Sequence, residues 1–158
     1  KRYVYHVMCE DTKIDLSNSI LLHGGGWKKM EKLKISKNLF KSKLKKKFNI
    51  KKIINYYGVV EQTGSVFFEC VKCSKLISNQ YSDIIIRKTN LQPCNKNEVG
   101  LIQLLSTVPR SYPGNSILSE DLGIFYDNNC KICKKNFKSF TVLGRIKKVE
   151  VRGCSDAN

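Results

Sequence analysis

The chain has 158 residues, enough for one core or two small lobes, and its 41% apolar share excludes wholesale disorder. Its formal net charge is +16, from 29 cations against 13 anions. Only five cations are Arg (Arg2, Arg87, Arg110, Arg145 and Arg152), the residue that reads bases and forks onto phosphate, so the charge argues against a nucleic-acid partner despite its size.

The start, KRYVYHVMCED, has no initiator Met and no signal-peptide core, and no apolar run approaches the ~20 residues that span a bilayer. We therefore expect a cytoplasmic chain with no membrane span, and a piece of something longer. SILLHGGGW (19–27) reads as a buried strand that ends in the glycine turn Gly24, Gly25, Gly26. Glycine there lets the backbone approach a flat or charged ligand, although a tight turn explains it equally. Ser36 then precedes KNLFKSKLKKKF, in which Ile35, Leu39, Phe40, Leu44 and Phe48 recur at helical spacing; this predicts an amphipathic helix capped by Ser36. Its lysines are either a solvated face or a patch for an acidic partner. KKIINYYG (51–58) follows as a second strand closed by glycine. Strand, helix and strand in this order make a crossover unit of a parallel sheet.

From Ser65 the helices stop. SVFFEC (65–70), SDIIIRK (82–88), VGLIQLLS (99–106), LGIFYD (122–127), FTVLGRI (140–146) and VEVRG (149–153) are short and β-branched or aromatic, with turn residues between them. Val108–Ser116, with Pro109 and Pro113, reads as a turn. The expected fold class is α/β followed by a small antiparallel sheet or distorted barrel. We expect residues 1–64 to close a nucleotide-binding lobe, 65–146 to form the β-rich lobe, and 147–158 to be a tail.

Seven cysteines, an odd number without an export signal, are a poor disulfide framework. Cys70/Cys73 and Cys130/Cys133 each have C-x-x-C spacing, and two such pairs complete a tetrahedral four-thiolate zinc site. The 56 residues between the pairs are long for a local ribbon, so the metal would join distant turns of the β region. A structural role fits better than a catalytic one, because catalytic zinc keeps an open position and often a His ligand. Cys94 is a substitute ligand without a paired neighbour. Cys154 stands apart, close to Lys147, Lys148 and Arg152, whose charge favours its thiolate. A thiolate is both nucleophile and leaving group, so it can accept an acyl group and pass it on.

NYYGVVEQTGS (55–65) resembles the Y-G-x-[TS]-E motif of adenylate-forming enzymes, with Val60 in the hydroxyl position. SILSEDLGIF (116–125) resembles their [YF]-x-T-G-D segment, and LGRIKKVEVRG (143–153) their G-R hinge, one residue shorter and without its Asp. Within that superfamily, Y-G-x-x-E-Q and the ending RGCSD (152–156) resemble the acyl-protein synthetases encoded in bacterial luminescence operons. The resemblance implies that Tyr57, after which Gly58 turns the chain, packs on adenine, and that Glu61 assists metal-bound phosphates. It also implies that Asp121 binds the ribose hydroxyls, that Arg145 contacts the nucleotide, and that Gly24–Gly26 belong to the same nucleotide site. Cys154 would carry the acyl group as a thioester. The implied cofactors are ATP and Mg beside the structural zinc. The implied activity is AMP-forming ligation of a fatty acid to the enzyme's own cysteine, for delivery to an acyl-CoA reductase-type protein. The rival readings are a CoA ligase of the phenylacetate type, in which free coenzyme A accepts the acyl group, and a zinc-ribbon module that binds nucleic acid.

Overall fold

A computed structural model describes residues 2–10, 14–27, 32–128, 132–134 and 136–146, and the chain divides into two compact units at Tyr56. In the first unit the chain order is α1 (Arg2–Cys9), β1 (Ile20–His23), α2 (Lys37–Phe48) and β2 (Lys52–Tyr57), the last two residues of β2 belonging to the second unit. β1 and β2 are parallel, with Ile20 opposite Lys52 and His23 opposite Asn55, and α2 makes the crossover expected from the sequence.

The limits of α2 follow from its ends. Ser36 is extended and its Oγ accepts from the Leu39 N–H at 3.2 Å, while Asn49 ends the helix in the left-handed conformation at φ 54°. Phe40, Leu44 and Phe48, four residues apart, point inward to a core with Trp27, Ile50 and Ile53. Lysines take six of the other nine positions, and Lys47 Nζ donates to the Met8 carbonyl at 2.9 Å and to that of Glu10. Helix α1, which the sequence pattern did not reveal, adds Val4 and Met8 to this core. β1 is not the fully buried strand expected: Ile20 and Leu22 are half exposed and only His23 is buried.

The second unit is antiparallel throughout. Tyr56 and Tyr57 pair with β3 (Phe67–Glu69), and the order continues through β4 (Leu76–Ile77), β8 (Ser139–Arg145), β7 (Ser116–Asp127) and β6 (Val99–Ser106) to β5 (Ser82–Arg87). Inward and outward residues alternate along β5 and β6, so Ile84, Ile86, Ile102 and Leu104 form one apolar face. Phe67, Leu76 and Phe140 complete that core. Lys138, just before β8, donates to the Asp83 carboxylate at 2.6 Å and to the Ile84 carbonyl at 3.0 Å, which ties the edge strand β5 back to the start of β8.

Two differences from expectation have a simple cause. β4 has only two residues, too few to show a period, and β7 starts at Ser116 rather than Leu122, its first half SILSED being partly exposed and mostly polar, so that its pattern did not mark it as a strand. The strand expected at 149–153 lies outside the described residues. Among the described residues no helix is long and apolar enough to cross a membrane.

Phe140 is fully buried and meets the Phe67 ring edge-on at 5.3 Å between centroids. Phe140→Ala is expected to destabilise the chain by about 3–5 kcal/mol, read as a lowered urea midpoint with an unchanged slope.

Candidate functional site

β7 and β8 are paired so that Asp121 lies opposite Arg145. Residues directly opposite on an antiparallel pair share a face, so the two side chains meet, with Arg145 Nε 3.8 Å from Asp121 Oδ1. The other carboxylate oxygen accepts a hydrogen bond from the Tyr57 hydroxyl at 2.8 Å. Three of the residues singled out in the sequence, 64 and 24 positions apart, thus converge in one unit.

Tyr57 and Asp121 are held from behind. The Tyr57 ring is wedged against Phe67 and Phe140, with centroids 6.4 and 6.3 Å away. Burial, and then the charge of Asp121, push the Tyr57 phenol far above its ordinary pKa, so it remains a donor throughout the neutral range. The Asp121 N–H donates to Ser119 Oγ at 3.3 Å, and that hydroxyl donates to the Ile102 carbonyl at 2.8 Å. Asp121 is 17% exposed and Arg145 41%, so the acid is sheltered but reachable, and the cation is open to an incoming anion. An ion pair of this exposure stabilises the fold little; its value is positional.

After Tyr57 the chain turns. A Cβ on Gly58 would come within 3.0 Å of the Ser65 carbonyl oxygen, closer than real side chains normally sit. Glu61 is exposed at the tip, and so is Val60, which stands where the superfamily motif has a hydroxyl. Gln62 is 1% exposed, and its amide donates to the carbonyls of Gly114 at 2.8 Å and Leu104 at 3.4 Å. The Thr63 N–H donates to the Tyr112 hydroxyl at 2.9 Å. The Glu61 turn is therefore fastened to the connection between β6 and β7. Motif reading gave Gln62 only as the last residue of Y-G-x-x-E-Q, with no role, and passed over Tyr112; the burial of Gln62 is a tertiary fact.

The glycine turn belongs to the first unit. Gly25 has φ 72°, a conformation in which a Cβ is strained, so a tight turn is sufficient reason for glycine at that position. Cys154, with Lys147, Lys148 and Arg152, lies outside the described residues.

A second cluster forms from cysteines. The sulfur atoms of Cys70, Cys73 and Cys133 all lie within 4.8 Å of one another, although they come from separate turns. Four thiolates around a zinc at about 2.3 Å stand roughly 3.8 Å apart, so this spacing fits such a metal. The residue after each pair, Ser74 and Lys134, is left-handed, with φ 57° and 55°. The Ser74 N–H donates to the Cys70 carbonyl at 2.8 Å. Burial raises the Cys70 pKa, but hydrogen bonds from the backbones of Cys73 and Lys72 and from the neighbouring thiols outweigh it and leave it below the ordinary value. Cys130 lies outside the described residues. Cys94 is not in the cluster; its thiol is directed to the Val99 carbonyl, 3.8 Å away, and burial raises its pKa.

The family model described as acyl-protein synthetase, LuxE, matches residues 3–158. No curated protein sequence matches the chain. Among solved structures it is similar to a 2-hydroxyisobutyryl-CoA ligase in complex with 2-HIB-AMP and CoA, with a TM-score of 0.72 and 15% identity, covering 92% of this chain and 35% of that one. It is also similar to the luciferase-like enzyme from the nonluminescent mealworm Zophobas morio, with a TM-score of 0.60 and 17% identity over 91% of this chain and 36% of the other. A third is O-succinylbenzoate coenzyme A synthetase from Bacillus subtilis in complex with ATP and magnesium ion, with a TM-score of 0.57 and 16% identity over 92% of this chain and 30% of the other. The chain spans about a third of the length of these structures, and the likeness is one of fold.

Proposed function

The chain belongs to the LuxE acyl-protein synthetase family, and we propose that it is part of an ATP-dependent ligase that activates a fatty acid as its acyl-adenylate and receives the acyl group on Cys154. The observation that carries this reading is the meeting of Tyr57, Asp121 and Arg145, each from a different motif segment, in one place.

On this reading a carboxylate oxygen of the fatty acid bonds to the α-phosphorus of ATP, and pyrophosphate leaves. The Cys154 sulfur, as thiolate, then bonds to the acyl carbonyl carbon, and AMP leaves with the electron pair of the broken C–O bond. The Asp121 carboxylate accepts from the ribose hydroxyls, since it has room for several donors. Arg145 supplies a fixed positive charge for the nucleotide. The Tyr57 ring offers an aromatic face to adenine, and Glu61 at its exposed tip faces the phosphates. Magnesium bound there would neutralise charge on the leaving pyrophosphate. The thioester would be handed to an acyl-CoA reductase-type protein in the cytoplasm.

We infer as well that Cys70, Cys73, Cys130 and Cys133 hold a structural zinc. The three described sulfurs support it by their spacing, and the matching left-handed residues after each pair support it by their local geometry. Four thiolates leave no open coordination position, so the metal would fasten two turns and take no part in the chemistry.

Three outcomes test these readings in the full-length enzyme. With ATP and labelled fatty acid, mass spectrometry should locate the label on Cys154, and Cys154→Ser should keep acyl-adenylate formation while losing stable acylation. Acylation retained at wild-type level in that variant, or label found only on free coenzyme A, would reject the self-acylation step. Asp121→Ala should cost about 1–3 kcal/mol in kcat/KM for ATP, as expected for loss of a charged hydrogen bond. Freshly purified protein should contain one zinc per chain, and Cys73→Ser should lower zinc content and melting temperature together. Metal-free protein that melts normally would rule the zinc site out.

A further inference from the structure

If Asp121 receives a ribose, its carboxylate has to point at the sugar before the sugar arrives. A free aspartate on a strand has several χ1 and χ2 settings to choose among. In this chain the choice is restricted from two sides. Oδ2 accepts from the Tyr57 hydroxyl at 2.8 Å, and Oδ1 faces Arg145 Nε at 3.8 Å. The phenol cannot readily follow a wandering carboxylate, because its ring is packed against Phe67 and Phe140, both fully buried. Ser119 fixes the backbone beneath through the Asp121 N–H.

A carboxylate offers about four lone-pair sites. The Tyr57 hydroxyl occupies one of them, and Arg145 stands off beyond hydrogen-bond distance, so the remaining sites are free to accept from two adjacent hydroxyls. A vicinal diol supplies two such donors with fixed separation, whereas a deoxyribose supplies one. Losing one donor leaves part of a sheltered carboxylate without a partner, which is a more discriminating penalty than a lost apolar contact.

We propose that Tyr57 is a positioning residue: its hydroxyl holds the Asp121 carboxylate in the orientation that accepts a vicinal diol, and so sets the preference of the site for ribonucleotides over deoxyribonucleotides. This rests on the nucleotide reading of the site given above. It assigns the Tyr57 hydroxyl a role separate from that of the ring, which packs whether or not the oxygen is present.

The test is pyrophosphate exchange by the full-length enzyme with ATP, 2′-deoxyATP and 3′-deoxyATP, on wild type, Tyr57→Phe, Asp121→Asn and the double variant. Tyr57→Phe keeps the ring and its packing. It is expected to reduce the ratio of kcat/KM for ATP to that for either deoxynucleotide by about 3- to 10-fold, through KM, the size of an ordinary net hydrogen bond, because the phenol acts on the sugar only through the carboxylate. Asp121→Asn should abolish most of the preference, and adding Tyr57→Phe to it should change the ratio no further. A purely structural effect of Tyr57→Phe would lower activity with all three nucleotides in proportion and leave the ratio unchanged, which overturns the proposal. Should Asp121→Asn erase the preference while Tyr57→Phe retains it, positioning fails and the nucleotide site stands. Should Asp121→Asn also retain the full preference, the nucleotide reading falls and this proposal with it.

Discussion

The edge-on contact between Phe67 and Phe140 is the constraint on which the second unit depends. The two rings come from β3 and β8, which are separated in the sheet only by the two residues of β4. So short a strand contributes few ladder hydrogen bonds of its own. Apolar burial therefore has to hold β3 and β8 in register, and both phenylalanines are completely removed from water. Tyr57 is the third ring of the group, and its place at the end of β2 makes it both a core residue and a residue of the candidate site. The ring belongs to the core, and the hydroxyl projects from it to the acid on β7.

The same arrangement explains why polar groups can be sheltered here at tolerable cost. A buried hydroxyl needs a partner, and Asp121 provides one. Asp121 in turn is balanced by a cation opposite it on the next strand. Gln62 is deeper still, and its amide nitrogen donates to two carbonyls of the β6–β7 region, which is what fastens the exposed Glu61 turn. The site is thus assembled on strands and braced turns, which hold geometry better than free loops.

The thiol cluster follows a different logic. Its cysteines come from the turn after β3 and from the segment before β8, so the strand order β3–β4–β8 that sets Phe67 against Phe140 also brings the two turns together. On α2 the lysines cover the face opposite Phe40, Leu44 and Phe48, and those in the last turn complement the negative end of the helix dipole.

Local signals in the sequence determined a good deal. The cap at Ser36, the four-residue spacing of α2, the crossover between β1 and β2, and the alternation along β5 and β6 all depend on neighbours within a few residues, and the structure has them. The residue types at Tyr57, Asp121 and Arg145 and in the two C-x-x-C pairs suggested particular chemistry, and the structure brings together the first three, and Cys70, Cys73 and Cys133. Tertiary structure alone decided the rest. The two-residue β4 carries no period long enough to read, while α1 does space Val4 and Met8 four apart but in only eight residues; the apolar surfaces each packs on belong to other segments. The partial exposure of β1 depends on what covers it, which its apolar run does not encode. The hydrogen bond from Tyr57 to Asp121, across 64 residues, follows from strand order and from the rings that aim the phenol. Residue types set what each group can donate or accept; which groups meet is set by packing between segments far apart in the chain.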